Sequence, residues 1–162
     1  MTRSGLIGVA ALLAAGAALS SAPAGGRVLV RCHTDDLSGR LGSIQGGAGS
    51  RFGPLVLKNR SRHSCTLFGY IGGRLYDTAG RPLPTRIVRD HSRPEHTVTV
   101  ASGHSAFTEL HWSAIPSGGA RSCPLPRTFA VTPPDERTQL RVRWTAGWVC
   151  GHGRIDVRPV KR

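Results

Sequence analysis

Residues 139–160 read QLRVRWTAGWVCGHGRIDVRPV, and apolar and polar side chains alternate in both halves of this stretch. Every second residue from Leu140 to Trp144 is apolar, with arginines between them, and Ile155 and Val157 likewise alternate with charged residues. Successive side chains of a β-strand point to opposite faces of its sheet. The stretch therefore predicts two strands, each with one buried face and one hydrated face.

Short runs of the same kind continue through the rest of the chain. No run sustains the 3.6-residue period of a helix, and 21 glycines and 11 prolines interrupt the sequence. Strands are predicted at 28–31, 38–45, 53–59, 65–70, 74–77, 96–100, 105–112, 128–132, 139–144 and 153–160. Since some of these runs would be loops, the pattern predicts an all-β fold, an immunoglobulin-like antiparallel β-sandwich of about eight strands.

Two proline-rich segments are predicted to be long loops. Residues 81–96, RPLPTRIVRDHSRPEH, combine prolines with arginines and predict an exposed basic connection. Residues 113–127, SAIPSGGARSCPLPR, predict a second loop that Cys123 holds near its end.

The N-terminus has the organisation of a secretory signal peptide. Arg3 precedes an apolar stretch at 6–19, and small residues follow at 22–24. This stretch is short and alanine-rich for a membrane span, and no later segment approaches the roughly 18 apolar residues that a span needs. We therefore expect a signal peptide at 1–24 and a single all-β domain at 25–162, exported as a soluble monomer without a transmembrane segment.

The four cysteines of an exported chain are expected to form two disulfides, because thiols outside the cytoplasm are usually oxidised in pairs. Cys32, Cys65, Cys123 and Cys150 allow three connectivities. Sequence order favours Cys32 with Cys65 and Cys123 with Cys150, since each pair closes a loop of about 30 residues and would contribute about 3 kcal/mol. Composition alone leaves the other connectivities open.

Five stretches together resemble a known family. They are CHTDDL at 32–37, GAGSRFG at 47–53, CTLFGY at 65–70, WSAIP at 112–116 and VTPP at 131–134. They resemble the exported actinobacterial family catalogued as domain of unknown function 4232, over residues 32–160. The resemblance implies a secreted or wall-associated all-β domain with paired cysteines. The family has no assigned activity or catalytic residues, so none is carried over to this chain.

The charge balance indicates the kind of partner. The chain has 22 basic and 9 acidic residues, and all basic residues except Lys58 and Lys161 are arginine. An arginine excess with much alanine and glycine is typical of the codon bias of a GC-rich genome, so the alternative to a binding site is a hydrated arginine surface. A field this positive attracts anionic polymers in a salt-dependent way. The candidate anion-binding residues are Arg141, Arg143, Arg154 and Arg158 on two strands, if those strands pair, enlarged by Arg81, Arg86, Arg89 and Arg93.

Patterns for catalysis or metal binding are weak. A zinc site would use Cys65 with His63 and the other cysteines that have a neighbouring histidine, but C-x-x-C and H-x-x-x-H spacings are absent. His104, Ser105 and Asp90 could be drawn as a hydrolase constellation, but the sequence has no G-x-S-x-G or H-E-x-x-H motif. The sequence therefore predicts no catalytic, cofactor-binding or metal-binding residue.

The tryptophans argue against specific nucleic-acid binding, which would use exposed aromatic side chains for stacking. Trp112 and Trp144 lie on apolar strand faces, and Trp148 is expected to cover a disulfide. The sequence thus predicts a secreted, non-enzymatic binding or structural module at the cell envelope, with an anionic wall polymer or an extracellular protein as partner. The alternative is a secreted protease inhibitor, because loop 113–127 has the proline, glycine and cysteine content of a rigid inhibitory loop.

Overall fold

The computed structural model describes Met1, residues 30–119 and residues 121–162. The strands of this part of the chain are β1 (Leu37–Leu41), β2 (Gln45–Gly47), β3 (Ser50–Asn59), β4 (Cys65–Leu67), β5 (Gly72–Tyr76), β6 (Arg86–Arg89), β7 (Val98–Val100), β8 (Ser105–Ser113), β9 (Thr128–Thr132), β10 (Leu140–Arg143) and β11 (Arg154–Val157). The predicted all-β class is confirmed, with eleven described strands instead of about eight. The predicted signal peptide and most of the predicted strand 28–31 lie outside the described residues.

The strands form two main sheets and a two-stranded ribbon. The large sheet has the order β1-β3-β8-β11-β6, with β2 also paired to β3; the small sheet has the order β10-β9-β5; and β4 pairs with β7. All these pairs are antiparallel except β6 with β11, which are parallel. The arrangement is compatible with an immunoglobulin-like sandwich. None of the described residues lies in a helix with the length and hydropathy of a membrane span.

The prediction that residues 81–96 form one long loop is wrong for Arg86–Arg89, which is strand β6. Ile87 of β6 lies opposite Ile155 of β11, and Ile155 is fully buried. The local sequence shows only two apolar residues between arginines, and the partner strand is far along the chain. A parallel pair of this kind needs a long connection, so no local turn signal reveals it.

Aromatic side chains fill the space between the two main sheets. Trp112 of β8 packs against Trp144, with ring centroids 5.1 Å apart, and Trp144 packs edge-on against Phe129 of β9 at 5.9 Å. The sheets also approach closely at Gly39 of β1, where an added Cβ would lie 2.6 Å from Leu140 of β10. The predicted apolar faces that carry Trp112 and Trp144 are therefore confirmed as core.

The two disulfides join Cys32 to Cys65 and Cys123 to Cys150, as sequence order predicted. Cys65 lies opposite Val100, whose strand β7 is followed by the turn into β8. Cys150 donates its backbone N–H to the carbonyl of Ser113, where β8 ends. The disulfides therefore clamp opposite ends of the sandwich.

Candidate anion-binding surface

The four strand arginines of the predicted patch lie on two different sheets. Arg141 and Arg143 belong to β10 of the small sheet, whereas Arg154 begins β11 of the large sheet and Arg158 follows that strand. β10 pairs with β9, while β11 pairs with β6 and β8. The pairing on which a four-arginine patch depended is therefore absent, and the two pairs of arginines have different surroundings.

Arg158 is held by carboxylates of neighbouring segments. Its guanidinium donates to Asp90 at 3.1 Å and also to Glu109, which accepts a second hydrogen bond from Lys161 Nζ at 2.6 Å. Hydrogen bonds from Ser92 and from Arg158 lower the pKa of Asp90 to about 2. Hydrogen bonds from Lys161 and Arg158 outweigh partial burial and lower the pKa of Glu109. Both carboxylates are ionised near neutral pH and compensate the charge of Arg158.

Arg154 and Arg81 also have carboxylate partners. Arg154 donates two hydrogen bonds to Asp156, at 2.8 and 3.0 Å, and these bonds raise the pKa of Arg154. Arg81 Nε lies 2.8 Å from the carboxylate of Asp77, four residues earlier across a turn. These two arginines are therefore compensated within the protein, like Arg158.

The remaining arginines of the 81–96 segment are exposed at the edge of the large sheet. Arg86 lies beside Arg154 in the register of β6 and β11, and the guanidinium carbon of Arg89 lies 5.4 Å from the centre of the Tyr70 ring. Arg93 lies in the loop that follows β6. Within the described ranges, no salt bridge involves Arg86, Arg89 or Arg93.

A cleft of about 930 Å³ crosses the outer face of the large sheet, between the segment that precedes β2 and the segment that follows β6. The rings of Phe52 and His111 stack on its floor, with centroids 5.9 Å apart. Arg154 and Arg158 line the same cleft together with their carboxylate partners. Because acidic and basic side chains face each other across the strands, this surface carries little uncompensated charge.

The outer face of the small sheet carries a different set of arginines. The register places Arg141 of β10 and Arg74 of β5 on either side of Ala130 of β9. Phe129 and Val131 point into the core, so Ala130 points outward, yet it is only 3% exposed. Long arginine stems can cover apolar surface while their charged ends stay hydrated, and the two flanking arginines account for the burial of Ala130.

A second row of this face lies next to the first. Arg143 and Tyr76 flank Thr128 of β9, and the guanidinium carbon of Arg141 lies 5.7 Å from the centre of the Tyr76 ring. Among the residues that the structure describes, no salt bridge involves Arg74, Arg141 or Arg143. We call these three residues the arginine face.

Arg74 is the member of the arginine face that the sequence-based candidates omitted. Arg74 begins the predicted strand 74–77, and the structure places it next to the fully buried Leu75. The pairing of β5 with β9 is not evident from the sequence, because β9 lies more than fifty residues after β5. This pairing places Arg74 on one side of β9 and Arg141 on the other. Only the sheet order identifies these arginines as neighbours.

The cysteines provide no thiolate for a metal site, because all four are in disulfides. Two of the neighbouring histidines have acidic partners instead: His33 Nδ1 lies 3.1 Å from Glu136, and His63 Nε2 lies 3.9 Å from Asp36. In the part of the chain that is described, His, Cys, Asp and Glu side chains form no group of three or more that could hold a metal ion.

The hydrolase constellation does not assemble within the described residues. His104 Nδ1 lies 3.1 Å from the carbonyl of Ser102, and Asp90 is engaged by Ser92 and Arg158. No hydrogen bond in this part of the structure joins His104, Ser105 and Asp90 to one another.

Comparison with known proteins gives one match. No curated protein and no solved structure matches the chain significantly. The model of the family described as Domain of unknown function (DUF4232) matches residues 32–161, a range that contains all eleven described strands and both disulfides. The chain therefore belongs to the DUF4232 family, whose name records a domain of unknown function.

Proposed function

We propose that the protein is a secreted, non-enzymatic binding module that engages anionic cell-wall polymers through the arginine face. The observation that supports this proposal is the contrast between the arginines at β11 and those on β5 and β10. Arg154 and Arg158 on the large sheet have carboxylate partners, whereas Arg74, Arg141 and Arg143 on the small sheet have none among the described residues. Guanidinium groups bind phosphate and carboxylate oxygens through paired hydrogen bonds.

The spacing of the arginine face suits a ligand with repeated charges. Arg141 and Arg143 are two residues apart on one strand face, which separates their backbones by about 7 Å. Arg74 and Arg141 are two strands apart, which separates their backbones by about 10 Å. A polymer with repeated phosphate or carboxylate groups, such as a wall teichoic acid or another acidic glycan, can contact several of these arginines at once.

Export to the cell envelope is supported by two features. The N-terminal sequence has the basic, apolar and small-residue order of a signal peptide. Both disulfides are formed, which fits an oxidising environment outside the cytoplasm.

Co-sedimentation with purified anionic wall polymer tests the proposal. The wild-type protein is expected to sediment with the polymer at low salt and to be released as salt rises, because ions screen the attraction. The triple variant Arg74→Gln, Arg141→Gln, Arg143→Gln is expected to lose about tenfold or more in affinity, since each arginine contributes charged hydrogen bonds.

A matched control removes the same number of charges elsewhere. This control is the triple variant Arg81→Gln, Arg86→Gln, Arg93→Gln, whose substitutions all lie in the 81–96 segment. It is expected to change the affinity for the wall polymer about threefold or less. Equal losses in the two triple variants would show that binding depends on total charge and not on the arginine face. A wild-type protein that stays in the supernatant at low salt would exclude the anionic polymer as partner.

A protease inhibitor is the second candidate, and the attachment of loop 113–127 favours it. The loop is tied to the segment after Trp148 by the Cys123–Cys150 disulfide and by a hydrogen bond from Val149 N–H to the Pro124 carbonyl at 3.0 Å. Such restraint lowers the entropic cost of binding. This candidate predicts that nanomolar protein blocks a secreted serine protease and remains intact; rapid cleavage of the loop without inhibition would exclude it.

A further inference from the structure

Three large apolar side chains are exposed at the end of the sandwich that carries the Cys123–Cys150 disulfide. Ile115 is 54% exposed, Leu125 is 59% exposed and Trp148 is 41% exposed. We call these three residues the apolar tip. Single exposed apolar residues are common, but several at one end of a small domain usually mark an interaction site.

Backbone contacts hold the members of the apolar tip near one another. The Cys150 N–H donates to the Ser113 carbonyl at 2.9 Å, two residues before Ile115. The Val149 N–H donates to the Pro124 carbonyl at 3.0 Å, so Leu125 and Trp148 are each next to a residue of this bond. The disulfide adds a covalent link within the same segments.

Two further hydrogen bonds fix the backbone at Trp148. Its carbonyl accepts a hydrogen bond from the indole N–H of the buried Trp112 at 3.1 Å, and the neighbouring Gly147 carbonyl accepts one from Trp144 at 2.8 Å. Gly147 has φ of +76°, a conformation that turns the chain at this point. The backbone of residues 147–148 is thus fixed to the core by two tryptophans, while the Trp148 side chain remains 41% exposed.

The surroundings of the apolar tip are basic. The chain segments that build this end, 45–53, 110–127 and 144–153, contain no aspartate or glutamate. They contain Arg51, Arg121 and Arg127. A second copy of this chain would bring like charges together, which opposes association through the tip. An anionic surface is the complementary partner.

We propose that the apolar tip docks on a lipid bilayer that contains anionic headgroups. Ile115, Leu125 and Trp148 enter the headgroup region, where tryptophan is favoured, and Arg121 and Arg127 lie near the lipid phosphates. The arginine face is a separate surface on the small sheet, so this site goes beyond the polymer binding proposed above.

Tryptophan fluorescence with vesicles tests the docking. Trp112 and Trp144 are buried and Trp148 is exposed, so Trp148 is the tryptophan whose environment changes on docking. Vesicles of phosphatidylcholine with about 30% phosphatidylglycerol are expected to shift the emission to shorter wavelength and to reduce quenching by acrylamide. The shift is expected to be absent in Trp148→Phe, and it is expected to be much smaller with pure phosphatidylcholine.

Two serine substitutions distinguish vesicle binding through the apolar tip from vesicle binding through any exposed apolar side chain. Leu125→Ser is expected to lower the partition coefficient onto anionic vesicles about fivefold, because it removes apolar surface from the interface. Phe68→Ser is the matched control, because Phe68 is 45% exposed but lies away from the apolar tip. The carbonyl of its neighbour Gly69 accepts a hydrogen bond from Val160, and the next residue, Lys161, bridges to Phe107. Phe107 lies six residues before Ser113, where β8 reaches the tip.

The outcomes distinguish this proposal from the function proposed above. Leu125→Ser is expected to bind wall polymer like the wild type, whereas the arginine-face triple variant is expected to keep the emission shift at saturating lipid. The docking proposal is overturned if the wild type shows no shift with anionic vesicles, or if Leu125→Ser and Phe68→Ser partition equally. A concentration-dependent dimer in sedimentation that Leu125→Ser abolishes would overturn it in favour of a second copy.

Discussion

At the scale of single residues, Asn59 illustrates how a buried polar side chain holds a turn in place. Its amide nitrogen donates to the carbonyls of His63 at 2.8 Å and Val100 at 2.9 Å. Its amide oxygen accepts hydrogen bonds from the backbone N–H and the hydroxyl of Ser61. The side chain therefore joins the β3–β4 connection to β7, beside Cys65.

Substitution of Asn59 is expected to destabilise the protein strongly. Asn59→Ala leaves buried carbonyls and an N–H without partners, and we expect a loss of about 2–3 kcal/mol in the free energy of unfolding. Ser61→Ala, which removes one hydroxyl from the same network, is expected to cost about 1 kcal/mol. Urea unfolding of both variants measures the difference; equal stability of Asn59→Ala and wild type would contradict this role.

The sequence predicts single residues well where their behaviour depends on chemistry and spacing alone. Sequence order favoured the observed cysteine pairing, and the apolar strand faces indicated that Trp112 and Trp144 are buried. Asn59 was not identified, because its side chain joins two separate segments, the β3–β4 connection and β7. Trp148 was expected to cover a disulfide; its side chain is 41% exposed, and its backbone carbonyl accepts the indole hydrogen bond of Trp112.

At the scale of strands, prediction succeeds where the pattern is local. Strand β9 has the predicted bounds, Thr128–Thr132, and β10 lies within the predicted 139–144. Strand β6 was missed, because its apolar pair becomes a buried face only beside β11. The arginine face could not be predicted for the same reason: it depends on which strands pair, and alternation does not carry that information.

Gly153 is needed for the contact between β11 and the chain that leads into β6. Its φ is +76°, and an added Cβ would lie 1.8 Å from the Pro84 carbonyl oxygen. Gly80 has a similar φ, +74°, but an added Cβ at Gly80 would have no neighbour within 4 Å. We expect Gly80→Ala to cost about 1–2 kcal/mol from backbone conformation alone.

Gly153→Ala is expected to cost about 4 kcal/mol or more, because steric overlap with a backbone adds to the conformational cost. Thermal and urea unfolding of the two variants compare the costs directly. Amide exchange should also increase along β6 in Gly153→Ala but not in Gly80→Ala. Equal destabilisation by the two substitutions would mean that the close approach to Pro84 does not matter.

At the scale of the whole molecule, the disulfides clamp the two ends but differ in accessibility. Cys32 and Cys65 are fully buried, whereas Cys123 is partly exposed. Attack by a thiolate requires access to a sulfur atom. A mild reductant is therefore expected to open Cys123–Cys150 first in the native protein.

Alkylation followed by peptide mapping identifies which cysteines become free first. In denaturant, where burial is lost, the two bonds should open at similar rates, and this provides the control. Each disulfide is expected to contribute about 3–4 kcal/mol through restriction of the unfolded chain. Labelling of Cys32 and Cys65 before Cys123 under native conditions would contradict the predicted order.

The position of β11 has a consequence for the order in which the protein acquires its fold. This strand lies between β8 and β6 in the large sheet, although residues 154–157 follow every other described strand in the chain. Synthesis proceeds from the N-terminus, so the sheet remains open, with two unpaired edges, until these residues leave the ribosome or the translocation channel. Unpaired edges are sites of aggregation. A chain that terminates before residue 154 is therefore expected to be a target for proteolytic quality control and not a shortened but working module.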